Sequence, residues 1–142
     1  MQEGEIRGFF TALIPSELEE LLHKEGYPIE RLEDGTWCSA FEANHGVQRF
    51  FVRLTDTWIF FTIAPYLGPP RSAVRRLKVY QRLLELNREM NLAKFALDPD
   101  GDVVLTVEFP TLHLDPAEAE AALSILTYYA DRFRDELLSL AG

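Results

Sequence analysis

Val47-Gln-Arg-Phe-Phe-Val-Arg-Leu54, then Thr55-Asp-Thr57, then Trp58-Ile-Phe-Phe-Thr-Ile-Ala64 is the stretch on which the fold turns. In the first segment Phe50, Val52 and Leu54 share one side while Arg49 and Arg53 take the other, the period-two pattern of a half-buried strand. Phe51 is the exception. The second segment is apolar on both sides, with Trp58 and Phe60 opposite Ile59, Phe61 and Ile63, which predicts a central strand covered on two faces. Upstream, Asp34-Gly35 and Asn44-His45-Gly46 suit tight turns, so Tyr27 to Leu67 is expected to be a run of hairpin-linked strands.

Outward from that run the punctuation is equally clear. Pro69-Pro70 closes it, and Ser72 can cap a long helix reaching about Asn91. Leu92 to Leu97 and Val103 to Phe109 flank Asp98-Pro-Asp-Gly-Asp102 as a hairpin. Asp115, with Pro116 at the first helical position and Glu118 three residues on, opens a helix to about Leu140. On the N-terminal side, Ser16 with Glu19 predicts a helix from Glu17 to Glu25 ended by Gly26. Ile6 to Ile14 is loosely helical and stops at Pro15. Runs of adjacent strands without strict alternation with helices indicate an α+β fold with a largely antiparallel sheet flanked by helices.

At 142 residues the chain is expected to form a single domain, 1–142, that needs neither disulfide nor metal to fold. Its net charge of -9 repels phosphate backbones and disfavours nucleic acid and anionic membrane surfaces as partners. The first five residues are acidic where an export signal would be basic, and the longest uncharged stretch, Thr57 to Pro70, is broken by Pro65, Gly68 and Pro69. The expectation is a cytoplasmic location, and the single Cys38 fits a reducing compartment.

The helices differ in the faces they must bury. The last one places Ala119, Ala122, Leu123, Leu126, Ala130, Phe133 and Leu137 on one arc, the pattern of a helix lying on a sheet. The middle helix carries two stripes: Ala73, Leu77, Tyr80 and Leu84, and Val79, Leu83, Leu86 and Met90. Leaving the second stripe in water would forfeit on the order of 6 to 12 kcal/mol, so it requires cover. Either the chain itself supplies that cover or a partner does, and Val79, Leu83, Leu86 and Met90 are the candidate anchors of a dimer or partner interface. Residues 71–94 hold seven basic and two acidic side chains, net +5, and the rest of the chain is net -14. Arg71, Arg75, Arg76 and Lys78 crowd a helix N-terminus, where the dipole opposes them, and call for a counter-charge from this chain, a second copy or a bound anion.

No catalytic constellation accompanies these features. His23, His45 and His113 lack ligand spacing, Cys38 between Trp37 and Phe41 reads as a small buried hydrophobe, and no phosphate loop or nucleophile elbow occurs. Asp98, Asp100 and Asp102 fail as a calcium loop, because the twelfth position is Phe109 and the sixth Val103. No metal and no cofactor is expected, and the chain is read as non-enzymatic. An alternative is a small-molecule sensor with Trp37, Trp58 and Tyr66 lining a pocket between sheet and helices.

Leu83-Leu-Glu-Leu-Asn87, Lys94-Phe-Ala-Leu-Asp98-Pro-Asp-Gly101-Asp-Val-Val-Leu105, Glu108-Phe-Pro110, Leu114-Asp115, Ala122-Leu123 and Tyr129-Ala-Asp131 together resemble the YbjN-type bacterial sensory-transduction regulators, whose fold is similar to that of type III secretion chaperones. The resemblance implies an α-β-β-β-α-β-β-α layout, a homodimer, and a role in binding another polypeptide, of unknown identity, as a chaperone-like or regulatory protein. It brings no catalytic motif.

Overall fold

The computed structural model describes residues 13–112 and 114–142, so the loosely helical reading of Ile6 to Ile14 falls outside the described residues up to position 12. Elements follow in the order α1 (Pro15–Lys24), β1 (Glu30–Glu33), β2 (Thr36–Ala43), β3 (Gly46–Leu54), β4 (Trp58–Leu67), α2 (Ala73–Glu89), β5 (Ala93–Leu97), β6 (Val103–Pro110) and α3 (Pro116–Ala141). The six strands form one antiparallel sheet in the order β1-β2-β3-β4-β6-β5. Four strands precede α2 where the resemblance implied three; the addition is the short, fully exposed β1.

The predicted breaks fall where turn chemistry demands. Gly35 (φ +77°) and Gly101 (φ +85°) occupy the left-handed region inside the β1–β2 and β5–β6 hairpins. A Cβ on Gly35 would stand 2.6 Å from the Leu54 carbonyl oxygen, so that turn excludes any side chain. Asp98 Oδ1 accepts from the Asp100 and Asp102 amides at 2.9 and 3.0 Å, which closes the second hairpin from within. Ser72 Oγ accepts from Arg75 N at 3.2 Å and Asp115 Oδ1 from Glu118 N at 2.9 Å, the two caps expected of α2 and α3. The start of α1 differs from the reading: Pro15 is its first residue, Ile14 is the cap position, and the Glu17 carboxylate reaches back to the Ile14 amide. Proline is tolerated there because its missing N–H has no helical partner to lose.

All three helices contribute to one core on a single face of the sheet. The seven residues expected on the buried arc of α3 are all buried, packed with Phe50, Val52, Ile59, Phe61, Ile63, Leu105 and Val107. Tyr66 enters this layer and donates its hydroxyl to the Ala130 carbonyl at 2.7 Å; burial pushes the phenol far above its usual value. Trp37, fully buried, donates its indole N–H to Glu19 Oε1 at 2.9 Å, which fastens α1 to β2.

The other face of the sheet carries no described helix, so the expectation that β4 is covered on two sides is corrected. Ile59, Phe61 and Ile63 have no exposure, but Trp58 on the opposite side is 43% exposed and Phe60 and Thr62 are half-buried. The open face is held by cross-strand pairs: Lys94 Nζ to Glu108 Oε1 at 2.6 Å, Thr62 to Thr106 through their hydroxyls at 2.8 Å, and an Arg49 N–H to Cys38 Sγ at 3.0 Å. Antiparallel sheets tolerate one solvated face, and hairpin connections never obliged a second helical layer.

Candidate functional site

The middle helix carries the candidate interface residues. The structure places Val79, Leu83, Leu86 and Met90 inside the chain, at 0, 6, 0 and 7% exposure, packed into the core with α3 and β5. Their proposed role as interface anchors is thereby corrected: the cover their burial energy requires is intramolecular. Of the two stripes read from the sequence, it is the other that faces outward. Of its members Leu77 and Leu84 stand in solvent at 70 and 71%, Ala73 is exposed and Tyr80 half-buried, and Val74, which belonged to neither stripe, adds to the exposed row at 66%. At 100° per residue Leu77 and Leu84 lie nearly opposite the buried stripe, so α2 shows one apolar row to the core and another to water.

Charge around α2 divides the same way. Arg75 donates to the Ser139 and Leu140 carbonyls at 3.4 and 3.3 Å, so its cation sits at the negative end of the α3 dipole. Arg82 pairs with Glu136 of α3 and with Glu85 at 3.4 Å. These two occupy the flank facing α3, and the chain itself supplies their counter-charge. Arg71, Arg76, Lys78 and Arg88 are exposed and form no ion pair among the described residues. The solvent side of α2 is therefore a row of aliphatic side chains bordered by uncompensated cations on a chain that is strongly acidic elsewhere.

The residues that carried the family resemblance do structural work. Asn87 takes the Phe95 amide at 2.7 Å on Oδ1 and donates to the Phe95 carbonyl at 3.1 Å. Asp98 closes its hairpin. Asp131 accepts from the Asn44 amide at 3.0 Å, which ties the β2–β3 turn to the middle of α3, and Ala130 receives the Tyr66 hydroxyl. None of these groups converges on a shared pocket.

The remaining candidates are dispersed. Trp37 and Tyr66 belong to the core side of the sheet and Trp58 to the open side, so the three do not line one cavity. Carboxylate oxygens of Asp98, Asp100 and Asp102 lie within 4.8 Å of one another, with Asp98 Oδ1 already engaged by two backbone amides. Cys38 is buried, and its sulfur raises the affinity of the neighbouring Arg49 guanidinium for its proton. His23 closes α1 and His45 sits in the β2–β3 turn beside Gln48; His113 lies outside the described residues. Depressions of about 450 and 440 Å³ flank Pro28 where the chain enters β1, open to solvent and lined by Ala40 and Val47 on both sides.

Comparison with known proteins agrees with this architecture. A family model described as "putative bacterial sensory transduction regulator" matches residues 15–139. No curated protein sequence matches the chain. Among solved structures, one chain of the ExsC–ExsE complex superposes with a TM-score of 0.60 at 17% identity, covering 87% of this chain and 96% of that one. A chain of the heterodimeric ExoU–SpcU complex from the type III secretion system of Pseudomonas aeruginosa gives 0.59 at 20% identity, covering 87% and 97%. The fold is thus type III secretion chaperone-like, in the element order given above.

Proposed function

The chain belongs to the YbjN family, and from that premise we propose that it works as a non-enzymatic, protein-binding regulator of chaperone type, a single cytoplasmic unit that pairs with a second copy and engages a partner polypeptide. The observation that carries the reading is the outer row of α2, Val74, Leu77 and Leu84, left in water on a helix whose other row already supports the core. Contiguous exposed aliphatic side chains on a folded chain mark interaction sites. Two α2 helices packed antiparallel about an axis near Gln81 would set Leu77 of each copy against Leu84 of the other. The same arrangement would lay the basic first half of each helix, with Arg76 and Lys78, along the half that carries Glu85 and Glu89. Support for a polypeptide partner comes from the fold: both superposed structures are complexes between two different proteins.

Sedimentation equilibrium of the wild type beside Leu77→Arg and Leu84→Arg tests the seam. A dimeric wild type and monomeric variants with unchanged far-UV circular dichroism are expected. A monomeric wild type, or folded variants that remain dimeric, would remove α2 as the seam.

A further inference from the structure

A sheet with two ends must protect both. At one end is β1, four residues long, every one exposed, carrying Glu30, Arg31 and Glu33, with its register broken between Arg31 and Glu33. Short length, charge and a bulge are established defences against pairing with another strand. At the other end is β5, Ala93-Lys-Phe-Ala-Leu97, only one residue longer, with Lys94 as its one charge and no break in register. Ala93 and Phe95 are core residues, Leu97 on the same side is exposed, and the strand pairs with β6 in unbroken register from Ala93↔Val107 to Leu97↔Val103. By charge and by regularity of register it is the less defended of the two edges, apart from what α2 lays against it.

Asn87 stands on that edge. Its carboxamide is bonded on both sides to the main chain of one residue, Oδ1 to Phe95 N at 2.7 Å and Nδ2 to Phe95 O at 3.1 Å. The pairing reproduces what a neighbouring strand would offer. Because both polar groups of Phe95 point to Asn87, Phe95 and Leu105 form a non-hydrogen-bonded pair, and the groups that face outward on β5 belong to residues 93, 95 and 97. Asn87 occupies the middle one. An incoming strand cannot then form two consecutive rungs, and a single rung does not hold a strand. We infer that Asn87 is the guard of this edge: it closes β5 to strand addition, and its removal opens the sheet to pairing with β5 of a second copy. This inference is independent of the α2 seam.

The test is made in the Leu84→Arg background, so that association through α2 cannot be mistaken for association through β5. Asn87→Ala is introduced, and two quantities are read: hydrogen exchange at the Phe95 amide, and sedimentation over a range of concentrations. The expected result is at least a tenfold rise in Phe95 exchange at low concentration, together with association that grows with concentration and restores protection at Phe95. Faster exchange without association would overturn the guard role and leave Asn87 as an anchor between α2 and β5. Unchanged exchange would overturn the hydrogen-bonded clamp itself. Should the alanine variant fail to fold, Asn87→Asp retains the acceptor for Phe95 N–H while setting a carboxylate against the Phe95 carbonyl. It is expected to loosen the edge in the same assays, and wild-type exchange and sedimentation in that variant would refute the guard.

Discussion

Leu86→Ala and Leu84→Ala, two residues apart on one helix and identical in chemistry, are expected to differ at least about fourfold in their cost to folding. Leu86 has no exposure and belongs to the core cluster, so truncation removes its burial energy and leaves a cavity, costing about 2 to 5 kcal/mol. Leu84 is 71% exposed and its truncation should stay within about 0.5 kcal/mol. With an unfolding entropy of about 2.1 cal/mol/K per residue, a chain of 142 residues has a total near 0.3 kcal/mol/K, so a 3 kcal/mol loss lowers Tm by about 10 °C and a 0.5 kcal/mol loss by less than about 2 °C. Urea and thermal unfolding followed by circular dichroism, at concentrations low enough for the chain to be monomeric, measure both. At higher concentration the ranking should invert in a second observable: Leu84→Ala weakens self-association and Leu86→Ala does not, provided it remains folded. Equal destabilisation by the two substitutions, or a neutral Leu86→Ala, would refute the assignment of the two rows.

Tyr66→Phe removes the bond to the Ala130 carbonyl and should cost about 1 kcal/mol in urea unfolding. Because burial raises the Tyr66 phenol above its ordinary 10.0, the folded chain keeps a proton that the unfolded chain releases, so wild-type stability should fall as pH climbs through and beyond 10, and the phenylalanine variant should lack that component. Asp98→Ala frees two backbone amides in the β5–β6 turn and should lower stability by about 1 to 2 kcal/mol in the same assay, without moving the oligomeric state. Leu92 holds a φ of +65° with an exposed side chain, a conformation that asparagine adopts at less cost; Leu92→Asn is expected to raise stability by about 0.5 to 1 kcal/mol, and a lower Tm would show that the leucine side chain repays its backbone strain.

Much of the fold is legible in the amino-acid sequence, because it depends on local chemistry. Ser72, Asp115 and Pro116 set helix starts, Gly35 and Gly101 set turns, and the arc from Ala119 to Leu137 names the buried face of α3 residue by residue. Two readings fail for one reason: they require knowledge of direction. Periodicity gives the angle between the two rows of α2 but not which row meets the sheet. Asn87, next to Leu86 in the chain, is polar and yet turned to the sheet, and only its bonds to Phe95 explain its presence there. For β4, apolar residues on both sides suggest two covers. The register sets Phe60 between Arg53 and Glu108, charged neighbours that mark a wet face, and register across β3, β4 and β6 is not written in any one strand.

The lopsided sheet separates two kinds of evolutionary constraint. Substitutions on the helix-facing side disturb a core to which every element but β1 contributes, so a change there must be accommodated by several neighbours at once. On the side that carries no described helix the contacts are pairwise, Lys94 with Glu108, Thr62 with Thr106, Arg49 with Cys38, and a pair can be exchanged with less effect on the core. The scaffold itself tolerates wide change in sequence: chains at 17 and 20% identity still superpose over 87% of this one.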